Sequence, residues 1–307
     1  MSLLSSAFAA QTRQQTGARE PWLSRPLYLM PALLLLVVFF LAPAAATIVI
    51  SFTDWDLGNR TPEFIGFANY HTLFTDADIR ISLTNTLVLN AVIVPVSFAV
   101  ALLLALGITS VKRGAAFWQI IYFLPVTSNL VAMAVVWDYL LHPELGFVAK
   151  ACLALGIEPV NWLNDRRYAL FTVGFISSWQ QIGYYMVLFL AGLLNISPTL
   201  YEAARIDGAR SALDRFRHVT WPMLGPTALF VFIITVIKSF QIFDVVKVLT
   251  KGGPDNATEI ILHTMYQEGF VFFRIGLAAS IATIFFLVML ALTLWQIRSV
   301  ERHVHYR

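Results

Sequence analysis

Six long apolar runs constrain this chain more than any other feature. They are Leu27–Ile50, Thr84–Ile108, Phe117–Leu141, Tyr168–Leu194, Met223–Val246 and Ile275–Ile297. Each exceeds the roughly 20 residues of helix that cross a hydrocarbon core. Their apolar character is continuous, whereas a membrane barrel needs short alternating strands. Only 13% of residues are charged, against about a quarter in a soluble domain. The expected fold is therefore an all-α polytopic membrane protein with six transmembrane helices. Pro31, Pro43, Pro95 and Pro125 fall inside the runs, where membrane helices tolerate proline as a kink.

These runs set the boundaries. Residues 1–26 are polar and basic and read as a cytoplasmic tail. The run 27–50 is longer than the about 7–15 residues of a signal-peptide core. Although Ala44–Ala46 resembles a cleavage site, it reads as a retained first span. Residues 51–83 form a loop on the outer face, 84–297 hold the other five spans, and 298–307 form a second tail. Lys and Arg are more numerous on the side that holds the N-terminus, and the acidic residues lie mostly on the other. Both termini are thus expected in the cytoplasm. No internal repeat of the kind found in many secondary transporters is visible. The single cysteine, Cys152, has no disulfide partner in the chain, and no Cys/His spacing suggests zinc.

Between the fourth and fifth runs lies "YEAARIDGARSALDRFRHVTWP", Tyr201 to Pro222. Ser197-Pro198 is a helix start with proline in the first position. Gly208 suits a left-handed cap. Ser211 and Asp214 have capping-box spacing, and Thr220-Trp221-Pro222 reads as a stop. Ile206, Ala209, Leu213 and Phe216 recur at helical spacing. The segment 197–222 is predicted to be a cytoplasmic helix–turn–helix. It has two physical readings: a helix pair lying on the lipid surface, or a docking element for a soluble partner.

Polar residues inside spans are costly and mark candidate pathways. In "SSWQQIGYY", Gln180 and Tyr184 share one helical face, and Gln181 and Tyr185 the next, with Trp179 beside them. Amides and aromatic rings suit a polyhydroxy substrate. The alternative is hydrogen bonding between helices and interfacial aromatics. Lys238, Gln241 and Asp244 form a stripe on the fifth run. Lys238 has three readings: snorkelling, pairing with an acidic partner, or meeting an anionic group on a substrate. Asn85 and Asn90 are further polar candidates in the second run.

The segment at 202–222 resembles the EAA loop of binding-protein-dependent ABC importer permeases. That pattern is Glu-Ala-Ala, three residues, Gly, nine residues, Ile, one residue, Leu-Pro. Glu202, Ala203, Ala204, Gly208 and Pro222 match it. Ten residues, Ala209 to His218, precede Val219 in place of the Ile, and Trp221 replaces the Leu. "FQIFDVVKVLTKGGPDNATE", "NTL" at Asn85 and "MYQEGF" resemble the carbohydrate and glycerol-3-phosphate branch. The resemblance implies a non-catalytic subunit of an importer of sugars or polyol derivatives in the bacterial inner membrane. It implies a second similar permease, two copies of a P-loop ATPase that carries ATP and Mg, and a periplasmic solute-binding protein. Glu202, Ala203, Ala204, Asp207, Gly208, Arg210 and Pro222 would couple to the ATPase. No cofactor, metal or nucleic acid is expected on this chain. It contains no G-x-x-x-x-G-K-[ST] phosphate loop. Two other classes stand beside this one: an ion-coupled transporter or channel using Lys238 and Asp244, and a membrane-bound enzyme. Neither needs a docking loop.

Overall fold

The computed structural model describes residues 24–58, 61–111 and 113–301. Most of the 1–26 tail, Arg60, Lys112 and residues 302–307 of the second tail lie outside the described residues. The chain divides into two compact units, residues 1–50 and 51–307.

The described residues of the first unit form the helix α1, built from Ser24–Leu36, a π turn Val37–Leu41, and Ala42–Ile50. Its 22 residues Leu29–Ile50 are long and apolar enough to span. The π turn ends two residues before Pro43, and the Ala42 N–H reaches back to Val37 O. A proline ring would otherwise crowd the carbonyl one turn earlier. The wider turn moves that carbonyl aside.

The second unit is helical, and its described residues hold two isolated β-bridges, Thr53↔Phe64 and Asp56↔Arg274. A short helix α2, Ala68–Thr75, precedes α3, Ala77–Ser110. The helix α3 begins earlier than its apolar run because Asp76 caps it, accepting from the N–H groups of Asp78 and Ile79. Its 34 residues extend about 51 Å at the α-helical rise. The helices α3, α7 (Ala169–Leu194) and α9 (Ala212–Phe240) pack together. Ala101, Ala105, Met186, Phe189, Leu224 and Val231 are fully buried where they meet. Small residues let the helices approach closely. A Cβ on Gly183 would sit 2.0 Å from the backbone oxygen of Tyr122, so that position accepts no larger side chain without moving a neighbouring helix.

Two predicted spans are corrected. The third is not one straight helix. Helix α4, Ala115–Phe123, runs into a 3-10 turn, Leu124–Thr127, and α5, Leu130–Leu140, leaves at 100°; the short α6, Phe147–Ala154, follows. Pro125 sits in the tight turn, and Asn129 starts the new helix by accepting from the N–H groups of Val131 and Ala132. The fifth run neither starts nor stops where its hydropathy suggests. Ala212–Phe240 is a single 29-residue helix, so Thr220-Trp221-Pro222 does not stop the preceding segment. A second π turn, Phe216–Thr220, again lies two residues before a proline, with Trp221 N–H donating to Phe216 O. The helix ends at Phe240, leaving Gln241 on the turn beyond it and Asp244 at the start of a short helical stretch that runs into a π turn at Val246–Thr250.

Among the described residues four helices are long and apolar enough to be spans outright, and up to six if each bent pair counts as one. Beyond the short helical stretch after α9 the chain forms a loop, then α10, Ile261–Tyr266, and α11, Ile275–Glu301. The loop folds over a buried carboxylate. Glu259 accepts from His263 Nδ1 at 2.9 Å and from Thr264 Oγ1 at 2.8 Å. A Cβ on Gly252, which has φ 89°, would lie 2.0 Å from Glu259 Oε2. The "TKGGPDNATE" stretch is thus a polar knot closed around glycine.

Candidate functional site: a polar cavity and a capped turn

The helices α3, α7 and α9 leave a cavity of about 250 Å³ between them. Gln180, Gln181 and Tyr185 of α7 line it, with Lys238 near the end of α9 and Gln241 and Asp244 just past it. Six of the ten pathway residues expected from the sequence therefore meet at one place, although α9 ends before two of them. Gln180 Nε2 donates to Ser128 O at 3.0 Å, so the break in the third predicted span presents a carbonyl to α7. Lys238, Gln241 and Asp244 are exposed at the cavity.

The other four lie elsewhere. Asn85 donates to the carbonyls of Asn256 and Glu259, both at 2.9 Å, and ties α3 to the loop after α9. Asn90 accepts from the Ser239 hydroxyl and joins α3 to α9. Trp179 packs edge-on against Trp137 and lines a separate, largely apolar cavity. Tyr184 packs against Tyr185 at 6.0 Å between ring centres. Polar groups in spans also join helices, and these four are spent that way or on ring packing. Sequence reasoning missed Ser97, Ser177, Ser178, Thr235 and Phe243, which also line the cavity. The two serines adjoining the glutamines carried a faint signal; Ser97 carried none.

The second place is the turn after α7. Ser197 caps α8, Pro198–Ile206, with Pro198 in its first turn. Gly208 has φ 97°. Ala209 N–H donates to Ala204 O at 2.8 Å and Gly208 N–H to Arg205 O at 3.3 Å, a Schellman stop. Ser211 then opens α9 through a full capping box with Asp214. The Ser211 hydroxyl and N–H hold the Asp214 carboxyl below the usual carboxylate range. A depressed folded pKa gives stability present above the ordinary value and lost as pH falls through the lowered one. The cap is therefore in place at neutral pH.

Tyr201 OH meets Thr220 Oγ1 at 3.1 Å, and Tyr201, Ala204 and Phe216 pack onto the main core. The predicted apolar face is split: Phe216 turns inward, while Ile206 is 86% and Leu213 73% exposed. Glu202 and Arg210 are also exposed. Ala203, Ala204, Asp207, Gly208 and Pro222 line a groove of about 670 Å³ beside them. The turn thus offers a concave surface with apolar knobs and charges along its rim.

The model of one family, described as the binding-protein-dependent transport system inner membrane component, matches residues 97–306. The chain belongs to that family. Within it, the chain is 33% identical over 283 residues to the sn-glycerol-3-phosphate transport system permease protein UgpA of Agrobacterium fabrum, covering 91% of this chain and 95% of that protein. It is similar in fold to a chain of a bacterial ABC transporter involved in the import of the acidic polysaccharide alginate. There the TM-score is 0.80 at 25% identity, over 92% of this chain and 97% of the other. The alginate transporter in complex with an alginate pentasaccharide-bound periplasmic protein gives a TM-score of 0.78 at 24% identity, over 89% and 93%.

Proposed function

We propose that this chain is a pathway subunit of an ATP-driven importer. It passes a sugar or a sugar or polyol derivative from a periplasmic binding protein into the cytoplasm by alternating access. The observation that carries this reading is the continuity of α9. One 29-residue helix begins at the capped turn after Gly208 and ends at the cavity, where Lys238 lies in its last turn. At the α-helical rise this is a rod of about 43 Å. Movement imposed on the turn reaches the cavity wall directly.

In this reading two copies of a P-loop ATPase, which hold ATP and Mg, grip the groove around Ala203, Ala204 and Gly208. Exposed Glu202, Asp207 and Arg210 supply charge-assisted contacts, and Pro222 shapes the far side of the groove. A second, similar permease completes the pathway. Both termini face the cytoplasm, and the 51–83 loop faces the binding protein. The relatives named for glycerol 3-phosphate and alginate import support a polyol or sugar class of substrate.

Affinity purification of the tagged chain from native membranes in mild detergent tests this. The expected eluate contains a phosphate-loop ATPase and a second multi-span permease, and ATP drives uptake after reconstitution. A chain that emerges alone in several detergents, or uptake driven by an ion gradient without ATP, would overturn it.

A further inference from the structure

Ser97 is 1% exposed and lines the cavity. Its hydroxyl has no hydrogen-bond partner. That sets it apart from several other buried helical hydroxyls among the described residues, which bond back to their own helix. Ser82 donates to Ile79 O at 2.8 Å, Ser177 to Val173 O at 3.0 Å, and Ser280 to Leu277 O at 2.7 Å. Thr235, on the same cavity wall, donates to Val231 O at 2.7 Å. A buried hydroxyl without a partner is costly and points to a group that arrives later.

Its place in the cavity is defined by its neighbours. Asn90 of α3 meets Ser239 of α9, and Phe98 meets Phe232. The two helices therefore run antiparallel, and Ser97 lies about two turns, on the order of 10 Å, from Lys238 along them. One end of the cavity offers an ammonium and a carboxylate, and the other a small neutral group that both donates and accepts.

We propose that Ser97 is a specificity-determining residue of the pathway, contacting a hydroxyl of the transported molecule at the end of the cavity away from Lys238. This rests on reading the cavity as the transport site. Occupation by a hydroxyl-bearing solute satisfies the serine, whereas a deoxy analogue leaves it unpaired.

Two measurements on the assembled transporter in lipid vesicles test the assignment. The first compares uptake of sn-glycerol 3-phosphate with that of propane-1,3-diol phosphate, which lacks the central hydroxyl, using one binding protein throughout. Ser97→Ala is expected to lower uptake of the hydroxyl-bearing probe about tenfold relative to the deoxy probe, and Ser97→Thr to restore the preference. An unchanged preference, or an equal loss for both probes that Ser97→Thr does not rescue, overturns the proposal. The second needs no substrate. Ser97→Cys in a Cys152→Ser background is expected to react with a small sulfonated thiol reagent at a rate that differs between ATP-free and vanadate-trapped transporter. No reaction in either state makes Ser97 a sealed core residue and overturns the proposal. A wild-type complex that takes up neither probe with ATP, while Ser97→Cys still reacts, removes the polyol-phosphate substrate and supports Ser97 as a pathway residue.

Discussion

Lys238 and Asp244 bring opposite charges to one cavity, yet no ion pair joins them among the described residues. Both are exposed there. Water screens them, and neither loses a protein partner when a charged solute enters. An ammonium held this way favours a phosphate or carboxylate over a neutral sugar, because ionised hydrogen bonds are roughly twice as strong as neutral ones. Lys238→Met is therefore expected to cut uptake of sn-glycerol 3-phosphate by about tenfold or more and to leave a neutral sugar probe unaffected. Equal uptake of the anionic probe by mutant and wild type would return Lys238 to a structural role. Asn85 and Asn90 show the other fate of polar residues in spans. Their amides are taken up by a loop and by a neighbouring helix, which leaves little for a ligand.

At the scale of the element, the π turn Phe216–Thr220 explains a spacing. The family pattern has nine residues where this chain has ten, Ala209 to His218. A π turn absorbs one extra residue without rotating the rest of the helix. Deleting Arg217 is expected to convert the turn to plain α-helix and leave the protein assembled and transporting. Deleting Phe230 from the α-helical part rotates the cavity end of α9 by about 100° and is expected to abolish uptake. Equal behaviour of the two deletions in a vesicle uptake assay would remove this account. The helix starts and stops around α8 were legible in the sequence because each depends on residues within five of one another, as at Ser197-Pro198, Gly208 and Ser211–Asp214. The break at Pro125 was not, since proline within an apolar run is equally compatible with a gentle kink. It takes the Asn129 cap and the Gln180 contact to Ser128 O to make a 100° turn. Gln180, Gln181 and Lys238 were legible as polar interruptions of greasy runs. Ser97 was not, because its want of a partner depends on three helices meeting around it.

For the molecule as a whole, the capped turn and the cavity are two ends of one helix, and this decides what mutation of the turn should do. Glu202→Lys reverses a charge on the exposed rim and touches neither the core nor the cavity. It is expected to abolish substrate uptake and substrate-stimulated ATP hydrolysis while the binding protein still holds its ligand with unchanged affinity. Normal uptake by this variant would sink the docking role of the turn. The same rod also limits how such a machine can fail. A stiff linkage leaves little room for half-strokes: the stiffer the rod, the more closely the cavity wall follows the turn. The π turn is the irregular joint in that rod, five residues wide, and on the importer reading proposed above its stiffness sets how strictly movement of the turn reaches the cavity wall. On that reading leakiness, a property usually sought in the walls of a channel, becomes a question of how stiff one joint is.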